Sequence, residues 1–245
     1  FLLILMPLTF GMCSGPSKDR DHFKPGQVIP HLQCSADTSF SYCLYLPSDY
    51  DPDKTYPLIY AFDAHGKGEV PVKLFKEMAE KFGYILIGSN DSRNGLSQES
   101  LMHIYEVISS DVLGRFSVNR DRIYTAGFSG GSRVASSIAI YKGGIAGVIG
   151  CSAGFPAVTE PIQFHFDYIG FVGDEDMNYL EMITLQEALQ EAGYRHLLVV
   201  FHGGHHWPPA ATIAEAFTWM EANAMRDLKK EKDPDFIEAS IQNLN

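Results

Sequence analysis

Residues able to carry out acyl transfer occur in this chain in a suggestive order. The stretch Gly127-Phe128-Ser129-Gly130-Gly131 fits the pattern GxSxG. A serine hydroxyl is a weak nucleophile alone. It needs a base to take its proton and an acid to hold that base in one tautomer. Downstream, Gly173-Asp174-Glu175-Asp176-Met177-Asn178 offers acids, and His202-Gly203-Gly204-His205-His206-Trp207-Pro208 offers bases. At the chain's own Gly and Ser frequencies the pentapeptide arises by chance with probability about 0.15, so its weight comes from its setting.

That setting is an apolar strand expected over 122–127 and a helix expected over 131–141, with Ser129 on the turn between them. This is the context of a nucleophile elbow, where a side chain two positions from the serine would collide with strand or helix. Period and breaker residues predict further strands over 28–34, 40–46, 58–62, 84–88, 146–151, 168–172 and 196–201. Helices are expected over 72–82, 98–113, 179–192 and 210–225, with a short one within 233–245. The first two strands read as an antiparallel hairpin. The rest alternate with helices, which implies a mostly parallel twisted sheet covered on both faces. In such sheets reactive groups sit on loops beyond the carboxyl ends of strands. The acidic cluster follows strand 168–172 and the histidine cluster follows strand 196–201, so nucleophile, acid and base arrive in order, each at a strand end.

On these residues the chain resembles the α/β-hydrolase superfamily, and within it secreted esterases of the polyhydroxybutyrate-depolymerase and feruloyl-esterase type. The resemblance covers about residues 40–225. Gly204-His205-His206-Trp207-Pro208 matches the family's Gly-Gly-His-x-Trp-Pro block, which implies His205 as the base. Asp176, three residues after Gly173, matches the acid and is preferred to Asp174 and Glu175. His202 and His206 compete with His205 as loop-packing or substrate-facing imidazoles. The sequence GFSGGSR departs from the depolymerases' GxSxGG, which leaves the subfamily and its polymer substrates open. An oxyanion hole built from backbone N–H groups would use Gly130, the residue after the nucleophile. Its second donor comes from Asp63-Ala64-His65-Gly66-Lys67-Gly68: one register points to His65, the other to Lys67, and His65 is favoured. The loop Asn90-Asp91-Ser92-Arg93-Asn94-Gly95 is placed at the pocket rim, with Asn94 as a substrate contact; a plain solvated loop is the alternative. Trp207 and Pro208 pin the histidine loop, and Trp207 is a second candidate substrate contact. Arg133 is expected in a structural ion pair.

The resemblance implies two-step hydrolysis of a carboxylic ester through an acyl-enzyme, with no cofactor. Only 152–166 separates two consecutive strands, too little for a cap domain, so an open pocket taking a small or polysaccharide-linked ester is expected. Competing readings are a prolyl-oligopeptidase-like peptidase, which ordinarily carries an extra domain, and a non-catalytic surface binding protein on a hydrolase scaffold. Three histidines within five residues raise a metal site, but no second ligand cluster accompanies them, so no metal is expected. Thirty acidic against nineteen basic residues, a net charge of −11, argue against nucleic acid as partner. No partner protein is implied.

Residues 1–27 read as a signal-like segment and linker, and 28–245 as one catalytic domain. The run FLLILMPLTF has the length of a signal h-region, and Cys13 after it resembles a lipoprotein's lipid-anchor cysteine, although Met12 departs from that motif. An exported protein, anchored or secreted, is the expectation. Cys34 and Cys43, on neighbouring strands, either form a disulfide or remain free thiols.

Overall fold

The computed structural model describes residues 23–158 and 161–242. The expectations for the leading apolar run and for Cys13 lie outside them. Among the described residues no helix is long and apolar enough to cross a membrane.

Eight strands form one sheet: β1 (Val28–Gln33), β2 (Ser41–Tyr45), β3 (Tyr56–Phe62), β4 (Ile85–Ser89), β5 (Val118–Phe128), β6 (Gly147–Cys151), β7 (Asp167–Gly173) and β8 (His196–Phe201). Their spatial order is β1-β2-β4-β3-β5-β6-β7-β8, with β1–β2 and β2–β4 antiparallel and every later pair parallel. Between the strands lie α1 (Glu69–Phe82), α2 (Gln98–Arg115), α3 (Gly130–Lys142) and α4 (Tyr179–Glu191), and after β8 come α5 (Ala210–Arg226) and α6 (Pro234–Gln242). This is the α/β-hydrolase fold, with the antiparallel start that the hairpin predicts.

The strands read as continuous apolar runs because both sheet faces are covered. Leu58, Tyr60 and Phe62 of β3 pack on one side with Ile104 and Ile108 of α2 and Val134 and Ile138 of α3. Ile59 and Ala61 point the other way, to Val72 and Phe75 of α1 and Phe217 of α5. Each such side chain withdrawn from water contributes about 1.5–3 kcal/mol. A buried polar group adds specificity: Arg122 of β5, Tyr84 before β4 and Glu221 of α5 are mutually bonded, tying α5 to the sheet. Cys34 and Cys43 are free buried thiols belonging to opposite faces, so no disulfide joins them. Burial pushes both thiols up to about 12, which keeps them protonated and unreactive.

Two element starts differ from expectation by three residues or more. β5 begins at Val118, four residues early, because polar Asn119 to Asp121 extend a strand that pairs Val118 with Tyr56. α1 begins at Glu69 rather than after Pro71, since proline is tolerated in a first turn where its missing N–H has no acceptor. Between β6 and β7 the described residues hold no helix or strand.

The connections reverse direction around β3: β4 and β2 lie to one side of it and β5 to the other. A crevice opens outside the carboxyl ends of strands at such a switch point.

Candidate active site

Ser129 follows β5 with φ 55 and ψ −120, a positive φ that non-glycine residues rarely adopt. The turn is that tight because α3 starts at the next residue. A methyl group on Gly127 would lie 2.1 Å from Gly131 O, and one on Gly131 would lie 2.0 Å from Phe62 O. Both glycines of the pattern are therefore required by backbone approaching backbone. Ser129 also occupies the N-cap position of α3 but makes no side-chain cap bond. Its Oγ instead lies 2.9 Å from His205 Nε2. Forgoing the cap costs about 1 kcal/mol of helix stability. It leaves the first N–H groups of α3, beginning with Gly130, without an intrahelical acceptor beside the hydroxyl.

His205 Nδ1 lies 2.9 and 3.1 Å from the two carboxylate oxygens of Asp176. Burial raises the Asp176 pKa, but hydrogen bonds from the Asn178 N–H, Ser152 and His205 outweigh it and hold the carboxyl below its ordinary range. Asn178 N donates to Asp176 Oδ1 at 2.8 Å, and Asn178 Nδ2 donates to Ser152 O at 2.8 Å, so the acid is fixed from several sides. The Phe128 ring lies 4.9 Å from the His205 imidazole and limits its rotation. Serine, imidazole and carboxylate thus form one continuous hydrogen-bonded line.

The competing residues are placed elsewhere. Asp174 pairs with His202, at 3.1 Å on Nδ1, and accepts the Gly203 N–H at 3.0 Å. Glu175 joins the two loops by its backbone, N–H to Gly203 O at 2.9 Å. His206 turns its Nδ1 to Trp207 O at 2.7 Å. Among the described residues no group of histidines, cysteines and carboxylates is arranged to hold a metal ion. Arg133 bonds Glu181 and Phe155 O, each at 2.9 Å, the ion pair the sequence suggests.

Trp207 is an anchor for the histidine loop and is not among the cleft-lining residues. Its indole N–H donates to Asp63 Oδ2 at 3.0 Å, and its ring packs against Phe75 and Phe128. The buried Asp63 has no signal in the sequence beyond its place after β3. Its other oxygen accepts the His65 N–H at 2.9 Å. The donor expected to face a ligand is therefore held within its own turn by a carboxylate. Lys67 opens the approach to α1, its carbonyl accepting the Val70 N–H, and neither His65 nor Lys67 lines the cleft. Asn94 does line it.

The cleft is about 250 Å³ and borders the elbow at Gly130 and Gly131. Its lining includes the apolar Leu96, Leu101, Met102, Val134 and Pro156 and the polar Asp63, Asn94 and Arg133.

No family model matches the sequence, and no curated protein matches it. Solved structures do. An S-formylglutathione hydrolase from Staphylococcus aureus superposes with a TM-score of 0.63 at 17% identity, covering 79% of this chain and 96% of that one. The feruloyl esterase module from Clostridium thermocellum, solved with sinapinate, gives 0.65 at 16% identity, over 79% and 87%. A ferulic acid esterase gives 0.62 at 17% identity, over 79% and 97%. What the chain shares with these esterases and hydrolases is the α/β-hydrolase fold.

Proposed function

We propose that this chain is a serine hydrolase that cleaves carboxylic esters through an acyl-enzyme. The observation that carries this reading is the line from Ser129 Oγ to His205 Nε2 at 2.9 Å and from His205 Nδ1 to Asp176 at 2.9 Å. In the first step His205 takes the Ser129 proton as Oγ attacks the ester carbonyl. Asp176 holds the Nδ1–H tautomer and stabilises the imidazolium that forms. The negative carbonyl oxygen is stabilised by the Gly130 N–H at the start of α3. His205 then protonates the departing alcohol. Water, deprotonated by the same imidazole, releases the acid and restores Ser129.

The apolar residues lining the cleft suit an acyl chain or aromatic acid. With no folded cap over it among the described residues, the cleft suits an alcohol carried on a sugar or polymer. The leading apolar run and Cys13 support a protein working outside the cytoplasm, lipid-anchored or secreted. Ser129→Ala, folded as the parent, should lose hydrolysis of p-nitrophenyl acetate and labelling by a fluorophosphonate. Full turnover by a pure Ser129→Ala preparation would sink the assignment. A panel of p-nitrophenyl and methyl hydroxycinnamate esters then ranks the acyl groups.

A further inference from the structure

We infer that the side-chain carboxamide of Asn94 supplies the second hydrogen bond to the oxyanion, in place of a backbone N–H from the loop after β3. The inference rests on the esterase reading above and names a further catalytic residue for it.

Three observations carry it. The first is that the favoured backbone alternative, the His65 N–H, is occupied. His65 N–H donates to Asp63 Oδ1, and the other oxygen of Asp63 is held by the Trp207 indole. Asp63 is buried, and a hydrogen bond to a carboxylate is about twice as strong as one to a neutral acceptor. An oxyanion seeking that N–H would compete with a fixed negative charge and be repelled by it.

The second is where the Asn94 side chain lies. A methyl group built on Gly130 would sit 1.7 Å from Asn94 Oδ1, so the carboxamide fills the space a side chain at position 130 would take. Gly130 carries the other oxyanion N–H, and Asp63, Asn94 and Gly130 line the same cleft. The Asn94 carboxamide makes no hydrogen bond to the described residues. A half-turn about χ2 therefore brings Nδ2 to the place of Oδ1 at no loss of partner. This also accounts for the middle glycine of Ser129-Gly130-Gly131, which elbow sterics do not require.

The third is that the backbone beneath Asn94 is fixed. Asn94 N donates to Ala64 O at 2.9 Å, His65 and Arg93 form an antiparallel bridge, and Ser92, buried, bonds Ser89 Oγ through its N–H at 3.1 Å. The donor is thus carried on a loop fastened to the one that follows β3. Preorganisation of that kind makes an oxyanion donor effective.

The test is steady-state kinetics on p-nitrophenyl acetate with the full chain, each variant checked by circular dichroism and melting temperature. Asn94→Ala should lower kcat on the order of 100- to 1,000-fold with KM within a few-fold, the mark of an interaction made in the transition state. Affinity for a trifluoromethyl ketone, which presents an oxyanion on Ser129, should fall by the same factor as kcat/KM; affinity for the product acid should not. Gly130→Ala keeps its N–H but displaces the carboxamide, so it should show a similar loss, and the double variant should be no worse than the more impaired single one. An active parent whose Asn94→Ala variant keeps kcat within threefold overturns this inference and leaves the esterase reading standing. A parent that neither turns over ester nor labels at Ser129 overturns both.

Discussion

Two acid–imidazole pairs stand side by side at the ends of β7 and β8, and one of them reaches a serine. Asp176 with His205 and Asp174 with His202 have the same chemistry, similar spacing in the sequence and nearly equal distances, 2.9 and 3.1 Å. They differ in surroundings. The Asp176 side chain is 0% exposed and His205 22%, whereas Asp174 is 47% and His202 86% exposed. In the outer pair each group can trade its partner for water, so the bond orders little. In the inner pair Asn178, Ser152 and Phe128 leave each group one orientation. An acid and an imidazole hold one geometry when their surroundings remove the alternatives.

Mutations at matching positions test that contrast, beginning with the largest effect. His205→Ala should reduce kcat on p-nitrophenyl acetate by roughly 10⁴- to 10⁶-fold, while His202→Ala should change it less than about threefold. Comparable losses at both positions would remove the distinction. Asp176→Asn keeps the shape but favours the wrong tautomer, and should cost on the order of 10⁴-fold in kcat. Asp174→Asn should cost almost nothing, measured in the same assay.

Stability separates the pairs more finely. Trp207→Phe removes one of the two donors on buried Asp63 and should cost about 1–3 kcal/mol in denaturant unfolding. Asp176, held below its ordinary range, contributes stability that is present above the unfolded carboxylate's pKa and is lost as pH falls through its depressed folded value. The melting-temperature deficit of Asp176→Ala should therefore shrink in acid. His202 runs the opposite way. The Asp174 hydrogen bond and charge raise its pKa, so its contribution is full below the unfolded value of about 6.5 and is lost as pH rises through the raised one. His202→Ala should show a small melting deficit in mild acid that disappears in alkali, the smallest effect of the series.

Much of this contrast is legible in the sequence, for identifiable reasons. A strand buried on both faces must be apolar throughout, which makes β3 and β4 plain. Ser129, Asp176 and His205 each follow such a strand, so their order is readable too. Burial at a loop is not, because it depends on what packs there from elsewhere. Nothing in Asp174-Glu175-Asp176 says that Asn178 and Ser152 close around the last. Asp63 gives no local sign that it will meet Trp207, 144 residues later. Nor does Asn94 announce its approach to Gly130, a contact between two loops with no periodicity to mark it. Side chains that alternate along elements can be placed from pattern, while those that bridge loops need the fold.

The elbow has an evolutionary consequence. At φ 55 and ψ −120, Ser129 bears the strain of a conformation costing on the order of 1–3 kcal/mol for a residue with a side chain. Glycine would sit there more easily. Ser129→Gly should therefore melt higher than the parent while turning over nothing. For folding alone, serine is the worse residue at this position, kept only while its hydroxyl is used. In a lineage that gave up the chemistry and kept the scaffold, drift at position 129 would run toward glycine.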